Sequence, residues 1–254
     1  MSSSRPSEMY AGVGQADFRP SVWEMGREIA IRLSCLRRPY WRFMSWFSAN
    51  RPYLQLIKRV AHLEGDVAEC GVFRGRTLLR LAMYVNSVNK RKTVHGFDSF
   101  QGFPPRSVTE GDLGPNRTMT KVRNRFKRAG SARDRIERVA SHLNLELEVH
   151  AGYFEDTVPQ VVARGRRFCF IHLDCDIYES YRTCLASLYD ALVPGGIMLF
   201  DEYACPVWPG ATRAVDEFFE GKRERPIRCD DPGRPEKPRY YIVKEHPSVQ
   251  ARCA

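Results

Sequence analysis

Much is missing from this chain of 254 residues. No apolar run approaches the ~18 residues that a membrane span needs, so no transmembrane segment is expected. The opening MSSSRPSEMY has no hydrophobic core of the kind a secretory signal carries. None of the eight cysteines (Cys35, Cys70, Cys169, Cys175, Cys184, Cys205, Cys229 and Cys253) stands in a C-x-x-C pair. Several lie in apolar segments, where cysteine behaves as a small hydrophobe. A zinc module and a disulfide framework are therefore not expected, and a reducing cytoplasm is. The sequon Asn116-Arg117-Thr118 then carries no sugar. No repeat occurs at solenoid lengths. No phosphate loop, no G-x-S-x-G and no Ser-His-Asp arrangement is visible.

What is present is 43% hydrophobic residues, enough for a core, and a formal charge of +10 from 40 basic and 30 acidic residues. The excess concentrates in 117–138, where Arg117, Lys121, Arg123, Arg125, Lys127, Arg128, Arg133, Arg135 and Arg138 outnumber Asp134 and Glu137. This is either a solvated helix face or a basic flap that meets an anionic ligand.

Residues 1–20 are polar and aperiodic. Over 21–47, Trp23, Ile29, Leu33, Leu36, Trp41, Met44, Trp46 and Phe47 alternate with arginines at mostly helical spacing, broken at Pro39. Residues 1–50 read as a tail plus helical extension, serving as a lid or an oligomer contact. From 51 to 254 strands alternate with helices. Strands are predicted at 66–72, 93–97, 145–151, 168–173, 197–200 and 240–244, with helices beginning near 53, 76, 156, 178 and 211. Such alternation predicts an α/β fold with a mostly parallel, doubly wound sheet, whose ligands sit beyond the carboxyl ends of the strands. Acidic residues cluster at those ends: Glu69, Asp98, Asp174 and Asp201. The loop 101–130 is long enough to read as a mobile lid.

The first strand–turn–helix reads Glu69-Cys70-Gly71-Val72-Phe73-Arg74-Gly75. Counted from Gly71, it lacks two glycines of the dinucleotide fingerprint, which excludes a closely held pyrophosphate. Gly71 lets a smaller group approach the backbone, Gly75 eases entry to the helix, and exposed N–H groups there could take a carboxylate. Asp98, one β-α-β step on, can accept both hydroxyls of a ribose. Together they describe a nucleoside joined to an amino acid without phosphate. S-adenosyl-L-methionine fits, and its sulfonium suits an acidic rim.

The runs GDVAECGVFRGRT, FDSFQGFP, GYFEDTVP, HLDCDIYESYRTCLASLYDALVPGGIMLFDEY and PGATRAVDEFF, in that order, resemble the macrocin O-methyltransferase family over about 51–221. The resemblance implies a class I methyltransferase sheet, Rossmann-like, closing with an antiparallel C-terminal strand. It implies methylation of sugar hydroxyls on natural products, S-adenosyl-L-methionine, a magnesium ion (Mg2+), and often a homo-oligomer using N-terminal helices. The matching segments put the cofactor against Glu69, Gly71, Val72, Arg74 and Gly75, then Asp98, Ser99 and Phe100, then Gly152, Phe154 and Asp174.

The residues give a chemistry of their own. If the strands ending at Asp174 and Asp201 are neighbours, these carboxylates and Glu202 meet, and oxygen ligands of this hard type suit Mg2+. The family resemblance supports all three as metal ligands, although it usually shows an Asp where this chain has Glu202. Asp174 is the expected base that accepts the proton of the acceptor hydroxyl. His172, on the same strand face, is the alternative base or a hydrogen-bonded core residue. Asp176-Ile177-Tyr178-Glu179 reads as an N-cap with a reciprocal Glu, so Asp176 is expected to be structural. The expected function is S-adenosyl-L-methionine- and Mg2+-dependent O-methylation of a sugar or other small natural product, and the basic segment 117–138 suits an anionic one. A catechol-like acceptor walled by Phe103 and Trp208 is the alternative. An RNA-binding protein or RNA methyltransferase, prompted by the charge, is a third reading, but no RNP-type aromatic motif supports it.

Overall fold

Phe168–Leu173 is an unbroken apolar run, and all six of its residues are buried. That pattern belongs to a strand covered on both faces at the middle of a sheet. In a computed structural model describing residues 51–105, 107–115, 118, 132–231 and 237–246, this is where it lies. The expected helix over 21–47 and the basic residues of 117–128 lie outside the described residues.

In chain order the elements are α1 (Pro52–Val60), β1 (Asp66–Cys70), α2 (Arg76–Val88), β2 (Val94–Asp98), a 3-10 turn (Glu110–Asp112), α3 (Ala132–His142), β3 (Leu147–Ala151), α4 (Phe154–Ala163), β4 (Phe168–Leu173), α5 (Tyr178–Leu188), β5 (Leu192–Phe200), α6 (Pro209–Phe219), β6 (Ile227–Cys229) and β7 (Arg239–Val243). The sheet order is β3-β2-β1-β4-β5-β7-β6. The first five strands run parallel, and β7 inserts antiparallel between β5 and β6. The order reverses between β1 and β4, which makes the carboxyl ends of those two strands the ligand crevice of a doubly wound sheet.

Local rules explain most boundaries. Gly75 begins α2 in the left-handed region at φ 74°, where a Cβ would strike Ile136. The Pro-Gly-Gly at 194–196, expected to stop a helix before a short strand, lies within β5 instead: Gly195 N–H bonds to the Lys244 carbonyl and Lys244 N–H to the Gly196 carbonyl, so pairing with the last strand extends β5 backwards. α5 accordingly ends at Leu188, before the expected 192. β6 completes the C-terminal hairpin that the family resemblance implies, but no strand was placed there from the residues; three residues with two exposed side chains carry little periodic signal. Lys92 is buried and donates its ammonium to the carbonyls of Leu63 and Gly65, satisfying the turn into β1. His150 on β3 stacks on Phe97 at 4.7 Å, and burial together with the neighbouring His95 pushes its pKa down to about 4.

The described part of the long loop is fastened to the domain. Asp112 is wholly buried; its Oδ1 accepts the Tyr178 N–H at 2.7 Å, and its Oδ2 accepts the N–H and hydroxyl of Thr109. Gly114 N–H bonds to the Val207 carbonyl. Asp112 therefore caps α5 from 66 residues away. Asp176 does not: the N-cap of α5 is Ile177, with no side-chain cap bond, and Asp176 sits in the left-handed region at φ 63°.

Candidate active site

β1 and β2 end together, and Asp98 ties them. Its Oδ2 accepts the Phe73 N–H at 2.7 Å and its Oδ1 accepts the Phe100 N–H at 2.6 Å. The Val72 N–H also faces it. Burial raises its pKa, and these amides oppose the rise. The amides near Gly71 were expected to hold a ligand carboxylate. Several are already engaged: Gly71 N–H bonds to the Phe97 carbonyl, Phe73 to Asp98, and Gly75 to the Val72 carbonyl. The reason for Gly71 is also internal. It has φ 94°, and a Cβ would lie 1.7 Å from the Asp174 carbonyl oxygen. Backbone of the β4 end, not a ligand, occupies that space.

β4 and β5 supply the other half. Asp174 N–H bonds to the Cys70 carbonyl and Asp201 N–H to the Leu173 carbonyl, which sets the two carboxylates side by side. Asp201 is surrounded by cations: Arg239 on Oδ1, Lys237 at 3.3 Å from Oδ2 and His172 Nε2 at 3.8 Å. Although burial opposes it, His172, Arg239 and Lys237 hold Asp201 far below the usual carboxylate range. Asp174 moves the other way: burial and the Asp201 charge push it up to about 6. The residue behind both is His172. Its Nδ1 lies 3.0 Å from Glu69 Oε1, and its ring stacks on Tyr53 of α1 at 6.1 Å. Burial would lower its pKa, but Asp201 and Glu69 overcome this and bring it up to about 10, so the ring is cationic at neutral pH. Burial raises Glu69 to about 7.

Glu202 is 1% exposed, and its Oε2 lies 2.9 Å from the Tyr181 hydroxyl. That hydroxyl also faces the Leu173 carbonyl at 3.0 Å and the Glu202 N–H at 3.3 Å. A phenol has one proton and two lone pairs. Its proton is donated to the Leu173 carbonyl or to Glu202 Oε2, and its oxygen accepts the Glu202 N–H. Burial and the charges of Asp201 and Asp174 push the Glu202 pKa well up.

These halves enclose one cavity of about 550 Å3, within the ~300–1,000 Å3 usual for small-molecule sites. Of the residues singled out from the sequence, Gly71, Asp98, Ser99, Gly152, Phe154, Asp174, Asp201 and Glu202 line it. Glu69, Val72, Arg74, Gly75 and Phe100 are not part of its wall. Glu69 is buried on His172, Arg74 offers its carbonyl to Arg135, and Val72 and Phe100 are buried beside the Asp98 turn. Phe103 and Trp208 line the cavity edge-to-face at 6.3 Å. The loops after β1, β2, β4 and β5 each hold a non-glycine residue at positive φ (Phe73, Phe100, Asp176 and Ala204). Such strain collects where ligand geometry matters. Among the described residues, the ligand atoms that converge here within 4.8 Å belong to His172, Asp174 and Asp201; Glu202 is not of that group.

Residues 53–229 match the profile of the family described as Macrocin-O-methyltransferase (TylF). The chain belongs to the macrocin O-methyltransferase family. Among curated relatives, the demethyldecarbamoylnovobiocin O-methyltransferase of Streptomyces niveus is 32% identical over 161 residues, covering 62% of this chain and 59% of that protein. The mycinamicin III 3''-O-methyltransferase of Micromonospora griseorubida is 30% identical over 159 residues, 61% of this chain and 60% of that one. The match thus spans about 60% of the length of these relatives. In fold, the chain is similar to the O-methyltransferase NovP, with a TM-score of 0.60 at 24% identity over 76% of this chain and 77% of that one. It is similar also to the calicheamicin methyltransferase CalS11, with a TM-score of 0.60 at 23% identity over 89% and 94%. The sheet of this macrocin O-methyltransferase family member is therefore the class I methyltransferase sheet, antiparallel C-terminal strand included. No local pattern marked Asp112, Tyr53, Tyr181, Lys237 or Arg239 as part of this site. Arg239 was findable once β7 was paired with β5: Tyr240 opposes Phe200, which brings Arg239 next to Asp201.

Proposed function

We propose that this chain is an S-adenosyl-L-methionine-dependent O-methyltransferase that methylates a hydroxyl of a sugar-bearing natural product, with Mg2+ at its acidic side. One observation carries the reading: Asp98 at the end of β2 and the Asp174–Asp201 pair at the ends of β4 and β5 face the same cavity across β1. The family membership and the sugar-modifying relatives support it.

The residues fit both groups. Each oxygen of Asp98 accepts from a backbone amide and keeps lone-pair capacity for a ribose hydroxyl. Gly152 and Phe154, also in the wall, give an adenine a close approach and an aromatic neighbour. For a divalent ion, Asp174 and Asp201 offer hard oxygen donors in the cavity wall, while the cationic His172 behind them is a counter-charge and not a ligand. S-adenosyl-L-methionine supplies an electrophilic methyl, and Mg2+ lowers the pKa of a hydroxyl bound to it.

The chain's own side chains do the rest. Asp174, raised toward neutrality, accepts the hydroxyl proton. Asp201, kept ionised by its three cations, is the fixed charge of the site. Lys237 is part of the cavity wall and shares Asp201 with the more buried Arg239, so Lys237 is the cation that would move aside if Asp201 held a metal. Glu202, held by the Tyr181 hydroxyl, is pushed well above the usual carboxylate range by burial and by Asp201 and Asp174. A second reading, a catechol-like acceptor, is supported by the Phe103–Trp208 wall, which suits a flat ring.

Calorimetry with S-adenosylhomocysteine, with and without Mg2+, followed by methyl transfer to glycosylated and catechol acceptors, tests the proposal. Expected are cofactor binding, a glycoside product and loss of turnover on chelation. Failure to bind S-adenosylhomocysteine rejects the reading, and methylation of catechols alone selects the second.

A further inference from the structure

Away from the cavity, three residues converge on the β2–β3 edge of the sheet. His95 lies three positions before Asp98, about 10 Å back along the strand at ~3.3 Å per residue. It pairs in register with Glu148 on β3, and His150 follows two residues later on the same face. The methyl-transfer chemistry uses none of them.

Their ligand atoms form a small triangle. His95 Nδ1 is 3.0 Å from His150 Nε2, His95 Nδ1 is 3.6 Å from Glu148 Oε2, and His150 Nε2 is 3.7 Å from the same oxygen. The corners lie about 2.0 Å from a common centre, so an ion at the ~2.0–2.2 Å bond length of zinc to imidazole nitrogen and carboxylate oxygen reaches all three from a point raised by up to ~0.9 Å above the plane, which leaves a fourth, tetrahedral position. We propose that His95, Glu148 and His150 bind a first-row divalent transition metal of the zinc class, pinning the edge strand β3 to β2.

The surroundings are those of a prepared site. His95 is fully buried, and its other nitrogen, Nε2, lies 3.3 Å from Asp66 Oδ2. Asp66 also accepts the Thr93 N–H at 2.9 Å and an Arg166 N–H at 3.1 Å. A carboxylate so placed fixes the proton on Nε2 and turns the Nδ1 lone pair toward the triangle, the outer-shell arrangement typical of metal-bound histidine. His150 is held by its stack on Phe97, and His95 by the edge of Phe168 at 5.7 Å. Without metal, the single N–H of a neutral His150 points from Nε2 to His95 Nδ1; binding moves that proton to His150 Nδ1, a change of tautomer with no net release, and frees both facing lone pairs. The Glu148 side chain is 47% exposed, so the ion has an entry path and a fourth position open to water. Two imidazoles and one carboxylate suit zinc, cobalt or nickel, whereas the oxygen-rich cavity suits Mg2+.

The test uses the full chain stripped of metal by chelation and titrated with Co2+ while visible absorption is read. Expected are tetrahedral d–d bands that saturate at one equivalent and are displaced by Zn2+. Zn2+ should also raise the melting temperature. Glu148→Gln and His150→Ala, both at partly exposed positions, should each weaken Co2+ binding at least tenfold and remove the Zn2+ shift, with methyl transfer unchanged. Asp174→Asn should leave the bands intact, which separates this site from the cavity. Absence of the bands overturns the proposal, as does their persistence in both edge variants. Should His150→Ala fail to fold, Glu148→Gln decides by the same readout.

Discussion

At the β2 end of the cavity stands one carboxylate, Asp98, whose charge is met by backbone amides. At the β4 and β5 ends stand Asp174, Asp201 and Glu202, faced by His172, Lys237, Arg239 and the Tyr181 hydroxyl. Backbone donors are fixed by the fold and change little with conditions. Side-chain counter-charges can be exchanged or titrated. The first half is thus built to hold a ligand, and the second to take part in proton and cation traffic. Asp98 and Asp174 are both buried carboxylates raised above their ordinary range, but only Asp174 owes part of its rise to a neighbouring acid.

The contrast can be broken at its junction. Gly71→Ala puts a methyl against the Asp174 carbonyl in a backbone region hostile to alanine, so it should lose ~3 kcal/mol or more of stability, read by urea denaturation. On the acidic side, Asp174→Asn should lower kcat by ~10²–10⁴-fold while S-adenosylhomocysteine still binds in calorimetry. On the amide side the same change should do the reverse. Asp98→Asn should weaken S-adenosylhomocysteine about tenfold, or ~1.4 kcal/mol, with kcat at saturation largely kept. If both variants lose binding alike, the division of labour is wrong. His172 sharpens the comparison through pH. Its folded pKa is raised to about 10, so the stability it contributes is complete below the imidazole's ordinary value of about 6.5 and is lost as pH rises through about 10. Urea midpoints should fall more steeply over that window for the wild type than for His172→Gln. The smallest effect is expected of Glu202→Gln. The amide can still donate to Tyr181, so activity should stay within about threefold by steady-state assay.

The sheet was legible because its strands are apolar runs closed by acids. α2 was placed at 76–88, where it stands, and β4 at 168–173. Asp98, Asp174 and Asp201 could be picked out because a carboxylate at the end of a buried strand needs a reason. Their counter-charges could not. Lys237 and Arg239 arrive from a strand nearly 40 residues on, His172 depends on Glu69 across a strand pair, and Tyr53 comes from a helix before the sheet begins. Asp176 shows the opposite failure. Its local sequence is a fair capping box, yet Asp112 takes the cap from a distant loop. Local pattern proposes a partner, and tertiary packing decides whether another group reaches it first.

Because β7 is the last strand of the sheet, the acids of β4 and β5 leave the ribosome well ahead of the basic side chains that neutralise them. During that interval His172 is the one cation of the three in place, and the nascent sheet carries a negative edge that is only partly offset. Docking of the final hairpin is then both the closing of the hydrogen-bonded ladder and the discharge of that edge, so pairing errors at the carboxyl terminus are penalised electrostatically as well as by lost packing.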